Sequence, residues 1–312
     1  MRMPGRSYRD PLPPPDRKLR RSAEELRRHV THLACEIGER NVRYRQAELA
    51  QTADYIEAEF AALGYEVRHV GYDVDGARCD NLEVEIVGAT RPDEIVVVGA
   101  HYDSVPGCPA ANDNASGVAG MLWLASAFAG LPSNRTLRFV AFVNEELPYA
   151  HTVDMGSWVY ARHCRERGDN VIAMLSLETI GCYSDAPGSQ RYPAGLGRLY
   201  PSTGNFIAFV GNTRYARLVR QVVASFRRYA PFPCLGGALP EAMSDIGRSD
   251  HWPFWQEGYP ALMVTDTAPF RYEHYHTAED TVDKIDFERT ARVVRGLASV
   301  IADLWAETSP AD

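Results

Sequence analysis

Candidate metal ligands recur in this chain at the ends of predicted β-strands. The apolar run 95–100 ends in His101, and two later apolar runs are followed by glutamates. Acidic side chains are costly at the end of a buried strand unless a cation or a hydrogen-bond donor compensates their charge. Two further candidates lie on loops that follow strands. The candidate ligands are His101, Asp113, Glu146, Glu178 and His276.

The mixture of imidazole and carboxylate side chains indicates which metal such a site takes. Two histidines with three carboxylates suit zinc, or a similar first-row metal, better than calcium or magnesium. If one carboxylate is shared, five ligands are enough for two metal ions about 3.5–4 Å apart. Glu145 precedes the candidate ligand Glu146, so the local backbone would point one of the two at the metal and leave the other free as a base. An ordinary acidic turn is the alternative for this pair.

Apolar periodicity predicts that strands and helices alternate through the body of the chain. Such alternation indicates an α/β fold, in which helices cover both faces of a central sheet. We expect a three-layer α/β/α sandwich with a mixed, mostly parallel central sheet, whose first two strands pair antiparallel at an edge. The predicted strands are 65–72, 81–87, 95–100, 136–143, 171–177 and 260–265, and the predicted helices after residue 40 are 46–63, 116–129, 156–167, 214–229 and 286–305.

Two segments lie outside this alternation. Residues 1–21 are basic and proline-rich, and we interpret them as a flexible arm that precedes a single catalytic domain, residues 22–312. Ser22 and Glu25 have the spacing of a capping box, which predicts that the first helix begins there. The Gly-, Pro- and Tyr-rich span 183–205 follows a strand end that carries a candidate ligand, which favours a rim of the site over a mobile loop.

Composition excludes several classes of protein. The 312 residues carry a formal net charge of −8, whereas a protein that binds nucleic acid needs a basic surface. No apolar segment approaches the roughly 20 residues of a membrane-spanning helix. The amino-terminal segment lacks the apolar core of a secretory signal, and the six cysteines have no paired spacing. We therefore expect a cytoplasmic protein with reduced thiols that binds neither nucleic acid nor membrane.

Six short motifs occur in an order that is typical of one enzyme family. The motifs are His101-x-Asp103, 112–117 (Asn-Asp-Asn-Ala-Ser-Gly), 144–146 (Asn-Glu-Glu), 176–181 (Ser-Leu-Glu-Thr-Ile-Gly), Ser249-Asp250-His251, and 275–277 (Tyr-His-Thr) with Asp280-Thr281. With them the chain resembles the zinc aminopeptidase family that contains bacterial leucyl aminopeptidases of the co-catalytic dizinc type, glutamate carboxypeptidase II and, as a divergent branch, glutaminyl cyclase. The resemblance covers roughly residues 20 to 305.

The resemblance implies how the candidate ligands divide between two zinc ions. His101 and Glu178 would hold one zinc. Glu146 and His276 would hold the other, and Asp113 would bridge the two. The implied cofactor is therefore two Zn²⁺ per chain.

Three further residues have implied roles around the metal ions. Glu145 would be the general base, and Asp103 would orient His101 without touching the metal. Tyr275 resembles a position whose hydroxyl helps to hold the tetrahedral oxyanion, although a packing aromatic fits equally well. The implied activity is that of a zinc-dependent exopeptidase, and we favour an aminopeptidase that hydrolyses N-terminal peptide bonds with a metal-bound hydroxide. Its substrate would be a peptide or an aminoacyl compound.

Two positions depart from the family pattern. Glu178 stands where the family more often has aspartate, so the backbone or the coordination must accommodate its additional methylene group. A weak Glu178 side would leave one zinc instead of two. Asn112 replaces an acidic residue, and we interpret it as a turn residue that supports the loop.

Two other functions remain as alternatives. A glutaminyl-cyclase-like acyltransferase would use a single zinc, and the retained His101-x-Asp103 pair argues against it. A non-catalytic binding protein on the same scaffold would have lost ligands or the base, whereas this chain keeps all of them. Asp250 and His251 could be ligands by type, but the five ligand positions are already filled, so we assign them a structural or pocket role.

Overall fold

A mixed sheet forms the centre of the molecule. The computed structural model describes residues 3–193 and 196–306, except for the side chain of Ser244. The strands in this part of the chain are β1 (Arg68–Val74), β2 (Ala77–Ile86), β3 (Arg91–His101), β4 (Arg135–Phe142), β5 (Asn170–Glu178), β6 (Ile207–Asn212), β7 (Cys234–Leu239) and β8 (Ala261–Thr265). Their order across the sheet is β1-β2-β4-β3-β5-β8-β6-β7.

Parallel pairing dominates the middle of this sheet. β4, β3, β5 and β8 are successive parallel neighbours, and β6 pairs in parallel with β7. The pairs β1–β2, β2–β4 and β6–β8 are antiparallel. The predicted mixed, mostly parallel sheet is confirmed, and so is the antiparallel pairing of the first two strands. Because the central strands are buried on both faces, they have the continuous apolar runs that predicted them.

Helices cover both faces of the sheet. One face carries α2, α3, α5 and α8, with α1 packed against α3 and α8, and the other face carries α4 and α6. The predicted three-layer α/β/α sandwich is therefore confirmed. None of the described helices is long and apolar enough to cross a membrane. The helices are α1 (Arg17–Thr31), α2 (Gln46–Ala62), α3 (Gly117–Phe128), α4 (Gly156–Arg167), α5 (Ala216–Tyr229), α6 (His251–Gln256), α7 (Ala268–Arg271) and α8 (Phe287–Ala306).

Apolar periodicity does not predict two strands at one edge of the sheet. β6 is a short apolar segment, and periodicity alone does not separate such a segment from other buried structure. β7 contains the adjacent glycines Gly236 and Gly237, and glycine is unfavourable inside strands. Both strands form because neighbours pair with them: β8 pairs with β6, and β6 pairs with β7. Their existence is thus a property of the sheet and not of their own sequences.

The first helix begins earlier than the capping-box spacing predicts. Asp16 is its N-cap, and Oδ1 of Asp16 accepts the backbone N–H of Leu19 at 2.6 Å. Ser22 lies inside the helix, where its hydroxyl donates to the carbonyl of Lys18. The capping-box prediction is therefore wrong, and residues 17–21 belong to α1 and not to the arm. A carboxylate at the N-cap satisfies a free N–H group and also interacts favourably with the helix dipole.

The other described residues of the proline-rich arm, 3–16, lie along the body of the protein. Arg227 on α5 donates from Nη1 to the carbonyl of Pro4 at 2.8 Å. Arg292 on α8 donates from Nη2 to the carbonyl of Pro13 at 2.5 Å. The arm thus contacts helices near both of its ends, whereas its flexibility stays a prediction.

Helix α3 begins at a glycine because its first turn lies against strand β5. A Cβ on Gly117 would lie 2.4 Å from the carbonyl oxygen of Leu177 and 2.3 Å from Oδ1 of Asn114. Both distances are much shorter than van der Waals contact. The absence of a side chain therefore lets the loop that carries Asp113 approach the strand end that carries Glu178.

We predict that Gly117→Ala destabilises the protein, although alanine favours helices. The added methyl group must displace the backbone of β5, and overpacking of this kind costs about 1–3 kcal/mol. Thermal and urea unfolding measure the change. Gly197→Ala is the matched control, because Cδ2 of Tyr192 lies 4.0 Å from the position of its Cβ. Equal stability of the two variants would contradict the close packing at Gly117.

Candidate metal centre

Strand ends bring three of the five predicted ligands to one edge of the sheet. His101 is the last residue of β3 and Glu178 is the last residue of β5, and these two strands are parallel neighbours. Glu146 follows β4, the other neighbour of β3. The carboxyl ends of parallel strands are where open α/β folds place their sites. The three side chains therefore meet at the carboxyl-end edge of the sheet, as their positions at the ends of predicted strands indicate.

The other two predicted ligands reach the same edge from loops. Asp113 lies in the turn Ala111–Ser116, directly before α3, and its own backbone is not helical (φ −113°, ψ 88°). The Asp113–Asn114 peptide bond is cis. His276 lies on the loop between α7 and α8. All five candidate ligands are thus brought together, although they come from distant parts of the chain.

The five side chains form two groups that share Asp113. In one group, Nε2 of His101 lies 3.2 Å from Oδ1 of Asp113 and 3.3 Å from Oε2 of Glu178. In the other, Nε2 of His276 lies 3.0 Å from Oδ2 of Asp113 and 3.2 Å from Oε1 of Glu146. The possible ligand atoms of each group lie within 4.8 Å of one another. Each oxygen of Asp113 therefore faces a different histidine.

Most of these atoms have no hydrogen-bond partner among the described residues. The unpaired atoms are Nε2 of His101, Nε2 of His276, both carboxylate oxygens of Asp113 and Oε1 of Glu146. All five side chains are buried except His276, which is 30% exposed. Buried polar atoms without a partner cost free energy, and imidazole nitrogens with carboxylate oxygens form a donor set that zinc accepts. The residues present therefore fit zinc.

Crowding of ionisable groups displaces their pKa values in opposite directions. Burial and the neighbouring Asp113 raise the pKa of Glu146 to about 7. Burial opposes the ionisation of Asp113, but the two adjacent histidines hold its pKa well below the usual range. Burial also acts against a charged His101, yet the carboxylates of Glu178 and Glu145 raise its pKa well above the usual value. Of these groups, the shared carboxylate of Asp113 is therefore the one whose charge its neighbours favour most.

Asp103 supports the site through two kinds of contact. Its carboxylate accepts the backbone N–H groups of Glu145 at 3.0 Å and Glu146 at 3.1 Å. The same carboxylate lies 3.6 Å from Nδ1 of His101, which is longer than a hydrogen bond. The backbone carbonyl of Asp103 is closer to that nitrogen, at 3.3 Å. Asp103 therefore contacts His101 mainly through its main chain, while its side chain fixes the turn that carries the predicted base.

The predicted base and the predicted oxyanion residue border the two ligand groups. Oε2 of Glu145 lies 3.8 Å from Nε2 of His101, and the side chain of Glu145 is 12% exposed. Burial raises the pKa of the Glu145 carboxyl well above its usual range, and nearby carboxylates raise it further. Tyr275 stacks on His276, with ring centroids 3.8 Å apart. Both residues therefore lie where they could contact a substrate bound at the ligands.

Asp280 holds the loop of the shared carboxylate, a role that the sequence motif does not specify. Its Oδ1 accepts the backbone N–H of Asn112 at 2.8 Å, and its Oδ2 accepts that of Asp113 at 3.0 Å. Tyr272 donates its hydroxyl to Oδ1 of Asp280 at 2.8 Å. Because Asp280 lies on the same loop as His276, it joins the loops of two ligands. Only the contact itself, between parts of the chain far apart in sequence, identifies this role.

Two asparagines join the same loop to the end of β5. Asn112 accepts the backbone N–H of Gly181 at 2.9 Å, in agreement with its interpretation as a supporting turn residue. Asn114 accepts the backbone N–H of Thr179 at 3.0 Å and donates to the carbonyl of Leu177 at 2.8 Å. These bonds satisfy backbone groups on both sides of the β5 ligand.

A buried arginine, Arg40, connects the segments around two other ligands. Its side chain is fully buried. Its guanidinium donates to the carbonyls of Tyr102 at 2.7 Å, Pro109 at 2.9 Å and Ala110 at 3.1 Å. Tyr102 directly follows the β3 ligand, and Ala110 precedes the turn that carries Asp113. Sequence reasoning misses Arg40 because its partners are backbone carbonyls, which every residue provides.

Left-handed backbone conformations occur at three ligand segments. Asn144 has φ +58°, Thr179 has φ +50°, and His276 itself has φ +59°. Asn144 precedes Glu145, and Thr179 follows Glu178. Such conformations are unfavourable for residues other than glycine and persist where surrounding contacts hold them, often at functional sites. At Asn144 and Thr179 they turn the chain just after β4 and β5, and at His276 they shape the loop between α7 and α8.

The Ser-Asp-His motif supports Glu178, the residue that stands where aspartate is more usual. Ser249 donates its hydroxyl to Oε2 of Glu178 at 2.7 Å and lies 2.9 Å from the hydroxyl of Ser176. Asp250 and His251 are fully buried behind the site. Their burial agrees with the predicted structural or pocket role, which stays a prediction.

An apolar cavity opens beside the ligands. Glu178 and Tyr275 form its inner end, and Tyr192 and Tyr200 of the span 183–205 border it. The described residues of that span, which leave out 194 and 195, therefore form a rim of the site, as predicted. The cavity and its open mouth together enclose about 890 Å³ of space that no atom occupies. Its apolar walls come mainly from Leu196, Phe206, Ala208, Val210, Leu235, Leu239, Met263 and Phe270.

The sequence also matches a known peptidase family and a set of relatives that includes two bacterial proteins. The family model for peptidase family M28 matches residues 81–301. The uncharacterized protein YfbL of Escherichia coli (strain K12) is 34% identical over 289 residues, which cover 90% of this chain and 88% of YfbL. Aminopeptidase YwaD of Bacillus subtilis (strain 168) is 31% identical over 212 residues, which cover 65% of this chain but only 41% of YwaD.

Solved structures share the fold of this chain. BSAP, a zinc aminopeptidase from Bacillus subtilis, matches with a TM-score of 0.72 at 16% identity, over 93% of this chain and 96% of BSAP. A glutaminyl cyclase from Fimbriiglobus ruber matches with a TM-score of 0.65 at 21% identity, over 94% of this chain and 97% of that one. The resemblance based on motifs is confirmed by the family match, which covers most of the chain. The chain belongs to peptidase family M28.

Proposed function

We propose that this chain is a zinc-dependent aminopeptidase that holds two zinc ions and removes N-terminal residues from peptides. The observation that carries the proposal is the position of Asp113, whose two carboxylate oxygens each face a different histidine. Each histidine has a second carboxylate beside it, from Glu178 or from Glu146. Two groups of ligands that share one carboxylate would hold a pair of metal ions. The similarity of this chain to the aminopeptidases YwaD and BSAP supports peptide hydrolysis as the reaction.

The residues around the ligands supply the proton transfers of peptide hydrolysis. When bound, zinc supplies a Lewis acid that polarises the peptide carbonyl and lowers the pKa of water to about 7. Glu145 accepts a proton from the attacking water and donates it to the leaving amine. Its burial and raised pKa suit a group that holds the proton between these two steps. Tyr275 donates its hydroxyl to the oxygen of the scissile carbonyl as negative charge develops there.

The apolar cavity gives this reaction a substrate preference. Glu178 belongs both to a ligand group and to the cavity wall. A substrate whose scissile carbonyl lies at the ligands therefore places its N-terminal side chain in the cavity. Because the walls are apolar, a large aliphatic or aromatic side chain gains the most from leaving water. We expect leucine and phenylalanine to be preferred to alanine and to acidic residues.

A glutaminyl-cyclase-like acyltransferase is the second candidate, because the fold is shared with the Fimbriiglobus ruber enzyme. Such an enzyme would use a single zinc ion. The group around His101 favours the peptidase, because His101, Asp113 and Glu178 together form a second set of ligands that a one-metal site does not need.

We predict that Glu145→Gln keeps the metal ions but lowers kcat by about 10²–10⁴-fold, because general acid–base catalysis contributes a factor of this size. Glutamine preserves the shape of the side chain but cannot accept the proton. Steady-state kinetics on an aminoacyl amide and zinc analysis measure the two effects. Glu166→Gln changes an exposed glutamate on α4 and is the control. Wild-type turnover in Glu145→Gln would contradict the assignment of the base.

Zinc-loaded protein, freed of excess metal, is expected to hold about two zinc ions per chain. His276→Ala is expected to hold about one, because it removes a ligand from one of the two groups. Elemental analysis against protein concentration measures both ratios. His163→Ala, a histidine on α4 away from the ligands, is the control. About one ion in the wild-type protein would favour the cyclase, and full metal content in His276→Ala would exclude this histidine as a ligand.

Gly237→Leu is expected to narrow the cavity selectively. A Cβ on Gly237 would lie 3.7 Å from Leu239 and 3.8 Å from the hydroxyl of Tyr200, which are ordinary contacts with cavity-lining residues. The value of kcat/KM for a leucine amide should fall by about 10–200-fold, the usual range for apolar side-chain recognition, while that for an alanine amide changes little. Val87→Leu, at an exposed position, is the control. Equal losses for both substrates would contradict the role of the cavity.

A further inference from the structure

The outer wall of the apolar cavity is an edge strand. β7 is the last strand of the sheet, and its inner neighbour is β6. Leu235, Gly237 and Leu239 of β7 border the cavity. An edge strand has one side without a neighbouring strand, and two adjacent glycines give it few side-chain contacts. Strand β6 and helix α5 both pack on β7, and the position of this wall depends further on what covers its outer side.

The N-terminal arm supplies contacts to β7 on the side away from the cavity. The hydroxyl of Ser7 accepts the backbone N–H of Cys234, the first residue of β7, at 2.9 Å. Met3 lies against Gly236, where its Cγ and Sδ are 3.0 Å and 3.1 Å from the position that a Cβ would occupy, and Cγ2 of Val223 on α5 is 2.7 Å from it. The side chain of Met3, together with Val223, thus fills the space that a larger residue in the strand would fill.

Arg227 binds the arm and the strand at the same time. From the last turn of α5, its Nη1 donates to the carbonyls of Pro4 at 2.8 Å and Gly5 at 3.3 Å. Its Nη2 donates to the carbonyl of Cys234 at 3.3 Å. One guanidinium therefore fixes the arm relative to the beginning of β7. None of these contacts involves a metal ligand.

A single layer of residues separates the arm from the cavity. The groove between the arm and the body is bordered by Met3, Phe206, Leu235 and Gly236. The last three of these residues also border the apolar cavity. If the arm moves, these three shared residues can shift, and the shape of the cavity changes with them.

We propose that residues 3–12 of the arm are a specificity element. They hold β7 in place and so set the width of the cavity that receives the N-terminal side chain of the substrate. This inference rests on the proposed aminopeptidase function. A large apolar side chain needs contacts with both walls, whereas alanine is too short to reach the outer one. Loosening β7 therefore weakens the binding of large side chains and leaves alanine substrates unaffected. The change falls on KM, because the wall contacts the substrate equally before and during the reaction.

Steady-state kinetics on leucine and alanine p-nitroanilides test the proposal with zinc-loaded full-length enzyme, a deletion of residues 2–7, and Met3→Ala. We expect the leucine-to-alanine ratio of kcat/KM to fall about tenfold in both variants, through a higher KM for leucine. Met3→Leu, which keeps the apolar volume, should restore the ratio. Arg6→Ala removes an exposed side chain of the arm and is the matched control. Should the deletion fail to fold, Met3→Ala alone decides.

Amide hydrogen exchange of residues 234–239, followed by mass spectrometry, reports on the wall without any substrate. Exchange should be faster in the deletion and in Met3→Ala than in the full-length enzyme and in Arg6→Ala. An unchanged selectivity ratio in an active enzyme, or an equal loss for both substrates, would overturn the role of the arm. A full-length enzyme that hydrolyses neither amide would instead contradict the proposed aminopeptidase function.

Discussion

Two histidines and three carboxylates meet at the buried edge of a parallel sheet, and their charges can be balanced only by a cation or by one another. Burial raises the pKa of Glu146, whereas the two histidines keep Asp113 ionised. A protein gains little from assembling such a cluster for stability, because each buried polar atom without a partner costs free energy. The cluster is understandable as a binding site for metal ions, and the surrounding structure serves to hold it.

Backbone hydrogen bonds hold most of this site. Asp103 fixes the turn of Glu145, Asp280 fixes the loop of Asp113, and Arg40 joins two segments through their carbonyls. Each of these contacts restrains the main chain beside a ligand. The ligand side chains can then adopt only a few orientations. This rigidity matters because zinc accepts only a narrow range of distances, and because the left-handed residues beside the ligands would relax without it.

The cavity beside the metal site is supported differently from the ligands, because one of its walls is an edge strand. Its lining includes the ligand Glu178 and also Tyr275, which adjoins the ligand His276, but its outer wall is β7, a glycine-containing strand at the edge of the sheet. Central strands of the sheet are fixed by neighbours on both sides, whereas an edge strand depends on whatever covers it. The ligand groups thus lie at the ends of central strands. The outer wall of the cavity lies where a short arm packs against it through Met3.

Much of the fold and of the candidate site can be read from residue types and their spacing. Apolar runs of the central strands predict the sheet, and ligands at strand ends such as His101 predict a metal site, because both depend on local sequence and on the geometry of parallel strands. Contacts between distant segments could not be predicted in this way. Ser249 beside Glu178, the cap of the first helix and the pairing of β7 depend on which backbone groups folding brings together. The order of the residues therefore specifies which metal chemistry is available, whereas the division of Asp113 between two histidines and the shape of the cavity exist only in three dimensions.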